Sequence, residues 1–157
     1  MKQWLGRIFV AVAVVTLFVP AAQAQDIGYR GAGFRIGLNT YPNQFQFGGQ
    51  LNLGEFIDNA RFQPSATVGI GDDRTIWMFN IDGAYHIPVD GNWNPYAGAG
   101  LGIGVESNDA TDDTEVTAGL NLLGGVEWGS RYRYFFEART QIGTSLGDFT
   151  VVFGMNF

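Results

Sequence analysis

Residues 131–140, Arg131-Tyr132-Arg133-Tyr134-Phe135-Phe136-Glu137-Ala138-Arg139-Thr140 (RYRYFFEART), interleave charge with aromatic rings. Neighbours in a β-strand point to opposite faces, so Arg133, Glu137 and Arg139 share one side while Tyr132, Tyr134 and Phe136 share the other. Such a strand has one charged and one aromatic face. The fold turns on which of them looks outward.

The rest of the chain repeats the pattern. Turn signals recur at TYPN (40–43), GEFIDN (54–59), GDDR (71–74), PVDGNWN (88–94), ESNDATDDTE (106–115), GSR (129–131) and SLGD (145–148). Between them lie eight segments of alternating hydropathy, each about ten residues long, with no competing helical period. The predicted strands are 30–40, 43–54, 60–71, 74–88, 95–106, 115–128, 131–144 and 148–157. Sorting their faces gives an apolar set without a single charge, typified by Phe34, Ile36, Phe45, Phe47, Trp77, Phe79, Tyr85, Leu101, Leu122, Tyr134 and Phe153. The opposite set holds Arg35, Gln46, Gln50, Asn52, Arg61, Gln63, Asn80, Asp82, His86, Asn121, Glu127, Arg133, Glu137, Arg139 and Gln141, interleaved with glycine.

Three considerations turn the rings outward. An eight-stranded barrel has interior room only for side chains or one small ligand. Most of the chain's Phe, Tyr and Trp would overfill it, whereas Gly98, Gly100, Gly102 and Gly104 leave space for long polar side chains from other strands. Charges on the polar face come in both signs and can pair, as buried charges must. Tilted strands of about 9–11 residues, even in number, match a barrel crossing a bilayer, and Trp77, Tyr85, Trp128, Tyr132 and Phe157 fall near strand ends where aromatic girdles sit. The expected fold is all-β, an eight-stranded antiparallel up-and-down transmembrane barrel. A soluble lipocalin-like periplasmic ligand carrier, with the rings inside, is the competing fold. Pro64 fits neither without a bulge near the end of the third strand, because it cannot donate to a ladder.

Residues 1–24 read differently. Lys2 and Arg7 precede the apolar run IFVAVAVVTLFV, and AQA follows before Gln25, as in a cleaved secretory signal peptide. No Cys lies near the cleavage point, so a lipoprotein anchor is not expected. Residues 25–157 then form one barrel domain. Without Lys2 and Arg7, the nine basic residues fall to seven, all Arg, against 15 acidic ones. With no basic patch to neutralise phosphates, nucleic acid is not an expected partner. The chain has no Cys, so its stability rests on packing and a closed hydrogen-bond network rather than on disulfides.

The whole of 25–157 resembles the small eight-stranded outer-membrane barrels of Gram-negative bacteria, the class of the OmpA transmembrane domain, OmpX and the opacity-type proteins. The sharpest motif is the tail FTVVFGMNF, in which Phe149, Val151, Phe153, Met155 and the terminal Phe157 resemble the signal read by the barrel-assembly machinery. Met155 stands where that family often has an aromatic. The resemblance implies an outer-membrane location, contact with membrane lipid and lipopolysaccharide, a monomer, and a structural or cell-surface interaction role without a cofactor. Some barrels of this architecture modify lipid A with Ser, His and a carboxylate. Here the sole histidine is His86, in AYHIPVDG, with no His-x-Ser motif beside it, so it is expected to cap the interior polar network instead.

Two constellations remain. Arg35, Arg61, Asp82, Glu127, Arg133, Glu137 and Arg139 form a lumen charge network, read as a plug that fixes strand register rather than a water path. With the amino end in the periplasm, Asp72, Asp73, Glu106, Asp109, Asp112, Asp113, Glu115 and Asp148 form an acidic outer rim facing the cell exterior. That rim has oxygen ligands suited to Ca²⁺ or Mg²⁺ but no recognised spacing, and reads as a solvated acidic loop with no metal assigned.

Overall fold

Alternation with a period of two builds eight antiparallel strands. The computed structural model describes residues 26–40, 43–71, 74–108, 114–143 and 149–157. The strands are β1 (Asp26–Thr40), β2 (Asn43–Ile57), β3 (Ala60–Gly71), β4 (Arg74–His86), β5 (Trp93–Asn108), β6 (Thr114–Trp128), β7 (Arg133–Ile142) and β8 (Thr150–Asn156). They close into a barrel in chain order. The seam between β1 and β8 runs from Gly33 opposite Asn156 to Asn39 opposite Thr150. Past it, the Ala32 N–H donates to the Phe157 carbonyl at 3.2 Å and the Phe157 N–H returns to Ala32 at 2.9 Å. A closed ring leaves no unpaired sheet edge. The proposed signal segment 1–24 and Asp72, Asp73, Asp109, Asp112, Asp113 and Asp148 lie outside the described residues.

The question posed by RYRYFFEART has a direct answer. Tyr132, Tyr134 and Phe136 are 44%, 38% and 46% exposed, whereas Phe135, Glu137 and Arg139 are 2%, 3% and 7% exposed. Phe34, Phe47, Phe79, Leu101, Leu122 and Phe153 likewise stand on the outer surface. The carrier fold needs these rings inside, and the barrel has them outside.

Strand ends depart from the sequence pattern where the backbone ladder continues past the alternating side chains. β1, β2 and β5 are longer than predicted, and β4 stops at His86. Because β5 begins at Trp93, that residue pairs with Trp128 rather than lying in a turn. Their rings stack at 5.2 Å, and Trp128 meets Tyr134 and Phe153 at 6.2 Å each, forming an aromatic band at one end of the barrel. This end carries the connections 58–59, 87–92 and 129–132 and is called here the short-turn mouth.

Pro64 is accommodated by a bulge, as expected, but the additional residue belongs to β2. Pro64 keeps unbroken register with Ile81 on β4. On its other side the ladder runs to Gln50–Ser65 and resumes only at Glu55–Arg61. Four residues of β2 therefore face three of β3, and Gly54 adopts φ 84° within the irregular stretch. That conformation suits glycine and disfavours a residue with a Cβ.

Candidate functional site: the barrel interior

Inward positions on seven strands supply one continuous string of polar side chains. Gln141 donates to Asn121 at 2.9 Å, and Asn121 donates to Asp82 at 3.0 Å and to Asn80 at 2.9 Å. Arg139 links Asp82 (2.8 Å) to Glu137 (3.0 Å), and Glu137 accepts from Arg35 at 2.7 Å. Arg35 continues to Gln50 at 3.3 Å, Gln50 to Asn156 at 2.7 Å, and Asn156 to Glu127 at 3.2 Å. Glu127 Oε1 then takes Arg61 at 3.0 Å and Arg133 at 3.3 Å.

All seven predicted charges meet, in two groups. Arg35, Asp82, Glu137 and Arg139 form an inner quartet of two cations and two anions, each nearly inaccessible to solvent. Arg61, Glu127 and Arg133 form a second group at the short-turn mouth. Gln50 and Asn156 bridge the two. Their bridging role is invisible in sequence, since amides face inward at many positions and only the register brings these two together.

Glycines on β5 open the necessary space. A Cβ at Gly102 would lie 2.6 Å from Gln141 Nε2, 2.8 Å from Asn80 Oδ1 and 3.0 Å from Asn121 Oδ1. The glycine-rich strand thus faces the long polar side chains contributed by others, as its composition suggests.

An apolar layer interrupts the polar interior. Ala84, Tyr96, Leu123, Phe135 and Val152 form a buried cluster, and the Tyr96 hydroxyl donates to Glu137 Oε2 at 3.1 Å. The sequence reading did not single out this layer, although strand parity puts Phe135 beside Glu137 on the inward face. Beyond it lies a cavity of about 30 Å³ bordered by Arg35, Asn80, Arg139, Gln141 and Val152, a volume on the scale of one or two waters. The remaining interior is occupied by side chains.

His86 sits at the short-turn mouth, stacked on Tyr96 at 5.1 Å. Arg61 Nη1 lies 3.2 Å from its Nε2, and its Nδ1 lies 3.2 Å from the Ala84 carbonyl. A guanidinium only donates, so Nε2 accepts and Nδ1–H donates, fixing the neutral tautomer. Among the described residues no hydroxyl is hydrogen-bonded to this ring.

Two members of the acidic set differ from expectation. Glu106 and Glu115 belong to β5 and β6, not to the loop, and stand opposite each other in register. Glu106 is buried and pairs with Arg74 at 2.9 Å, because the hairpin ladder extends past the point where polar residues begin. Glu115 is exposed. Among the described residues no three acidic or histidine side chains converge on a metal-sized site. Of the tail residues, Phe149, Phe153 and Phe157 are exposed on the outer face and Val151 and Met155 are partly exposed there.

The fold and interior define a closed eight-stranded meander barrel, apolar without and hydrogen-bonded within. Solved structures with this architecture include the N-terminal β-barrel domain of Pseudomonas aeruginosa OprF, at 18% identity and a TM-score of 0.65 over 83% of this chain and 98% of that one. Neisserial surface protein A is similar at 16% identity and a TM-score of 0.61 over 82% of this chain and 93% of that one. No protein-family model and no curated protein sequence matches the chain.

Proposed function

We propose that the protein is an integral barrel of the Gram-negative outer membrane, with a structural or cell-surface interaction role and no catalysis. One observation carries this: every strand turns apolar side chains outward and its charges inward. Water disfavours such a surface, whereas hydrocarbon suits it, and the closed ladder satisfies backbone groups that lipid cannot. Likeness to two barrels described as an outer-membrane-type domain and a surface protein supports the same location.

Under this reading residues 1–24 are removed on export, Phe149 to Phe157 present the signal to the assembly machinery, and the barrel works as a monomer in contact with lipid and lipopolysaccharide. The lumen network and apolar layer act as a plug, since the cavity of about 30 Å³ gives solutes no path. The acidic residues from Asp72 to Asp148 face the exterior as a solvated rim. Fractionation tests the location: the protein should require detergent, shift in mobility when heated before electrophoresis, and lose loop 106–115 when intact cells are shaved with protease. Release in the periplasmic wash would refute it. A change in lipid A mass on overexpression that His86→Ala abolishes would refute the non-catalytic assignment.

A further inference from the structure

Every buried charge in this barrel has a counter-charge of its own except at the short-turn mouth. The inner quartet balances two guanidiniums with two carboxylates, and Arg74 has Glu106. Arg61 and Arg133, in contrast, converge on the same Oε1 of Glu127. Glu127 cannot offer more, because Asn156 already occupies its Oε2 at 3.2 Å. Arg61 spends one nitrogen, Nη1, on both Glu127 and His86. Arg133 has no polar partner other than Glu127 among the described residues, and its side chain is 33% exposed.

The donors left over border a cavity of about 320 Å³, ten times a water's share of liquid volume. Its walls are Arg30, Asn52, Gly54, Glu55, Arg61 and Arg133, so three guanidiniums confront one lining carboxylate. Glu55 is held back from the centre of this charge by accepting the Asn59 N–H at 3.1 Å. The β2 bulge at Gly54 widens the mouth at this point. Planar guanidinium forks match the two oxygens of a carboxylate or phosphate, and such bonds are stronger when both partners are charged.

We propose that this mouth is an oxyanion-binding site, in which Arg133 and Arg61, seconded by Arg30, hold a carboxylate or phosphate group. Delivery of that group from the periplasm rests on the outer-membrane reading; the binding chemistry does not. The test uses the folded full-length barrel in uncharged detergent, titrated with inorganic phosphate and separately with succinate, against sodium chloride at matched ionic strength. Binding is read from calorimetry and from nitrogen-resolved shifts of the arginine side chains.

Saturable binding of phosphate alone assigns a phosphate group, binding of succinate alone assigns a carboxylate, and binding of both assigns a general oxyanion site. Arg133→Gln should weaken binding at least tenfold, Arg133→Lys should keep part of it, and Arg74→Gln at the opposite rim should leave it unchanged. Arg133 is the chosen position because its exposure and single ion pair let the variant fold; an unchanged heat-dependent gel shift checks this. Neither probe exceeding chloride, or equal binding by the Arg133→Gln protein, overturns the site. Failure in the membrane fractionation above would instead refute the location and leave this measurement intact.

Discussion

Replacing Glu137 by Gln removes one charge from the centre of the inner quartet while preserving shape. The wild-type side chain is 4% exposed and accepts from Arg35 at 2.7 Å, Arg139 at 3.0 Å and Tyr96 at 3.1 Å. Two unit charges about 4 Å apart attract by about 4 kcal/mol at an effective dielectric constant of about 20. In the wild type much of that offsets the cost of burying both guanidiniums. In the variant the burial cost persists and the attraction is gone. The loss should therefore be about 3–5 kcal/mol, the cost of breaking a buried pair from one side. Arg74→Gln is the internal control: its side chain is 45% exposed, so losing the Glu106 pair should cost no more than about 1 kcal/mol. Urea titration of the barrel in lipid vesicles, followed by tryptophan fluorescence and by the gel shift of the folded form, measures both. Adding Arg35→Gln to Glu137→Gln restores neutrality and should recover part of the loss, with a coupling of about 0.5–3 kcal/mol. If Glu137→Gln costs as little as Arg74→Gln, the quartet is solvated and the plug assignment fails.

Phe135→Ala should destabilise by about 3–5 kcal/mol in the same titration, because the ring is 2% exposed and fills the apolar layer. Gly154→Ala should also destabilise, by about 1–3 kcal/mol, since an added Cβ runs into the Phe135 ring; combined with Phe135→Leu the penalty should shrink, and an unchanged penalty would contradict the contact. Leu101→Arg on the outer face should cost about 2–4 kcal/mol in a bilayer if it sits near the midplane; equal stability in vesicles would place that face in water. Asn59 holds φ 64° in the 58–59 turn, so Asn59→Ala should cost about 1–2 kcal/mol and Asn59→Gly should not.

Sequence alone determined the properties that repeat every second residue. Which side chains share a face, that the charged face is spacious and the aromatic face bulky, and that eight segments alternate without a helix between them are local facts. Their volumes and charges already dictate that rings go outside. The direction of Phe135 was legible in the same way, though its place in a sealing layer was not. Tertiary structure alone decided who meets whom. Arg35 and Glu137 are 102 residues apart and touch because closure of β1 on β8 brings β7 near β1. The sharing of Glu127 by Arg61 and Arg133, the bridge through Gln50 and Asn156, and the β2 bulge opposite Pro64 follow from register. Strand parity sends a side chain into the lumen but leaves its height and angle there open. Those are fixed only when all eight ladders close together, because each strand's offset is inherited by the next.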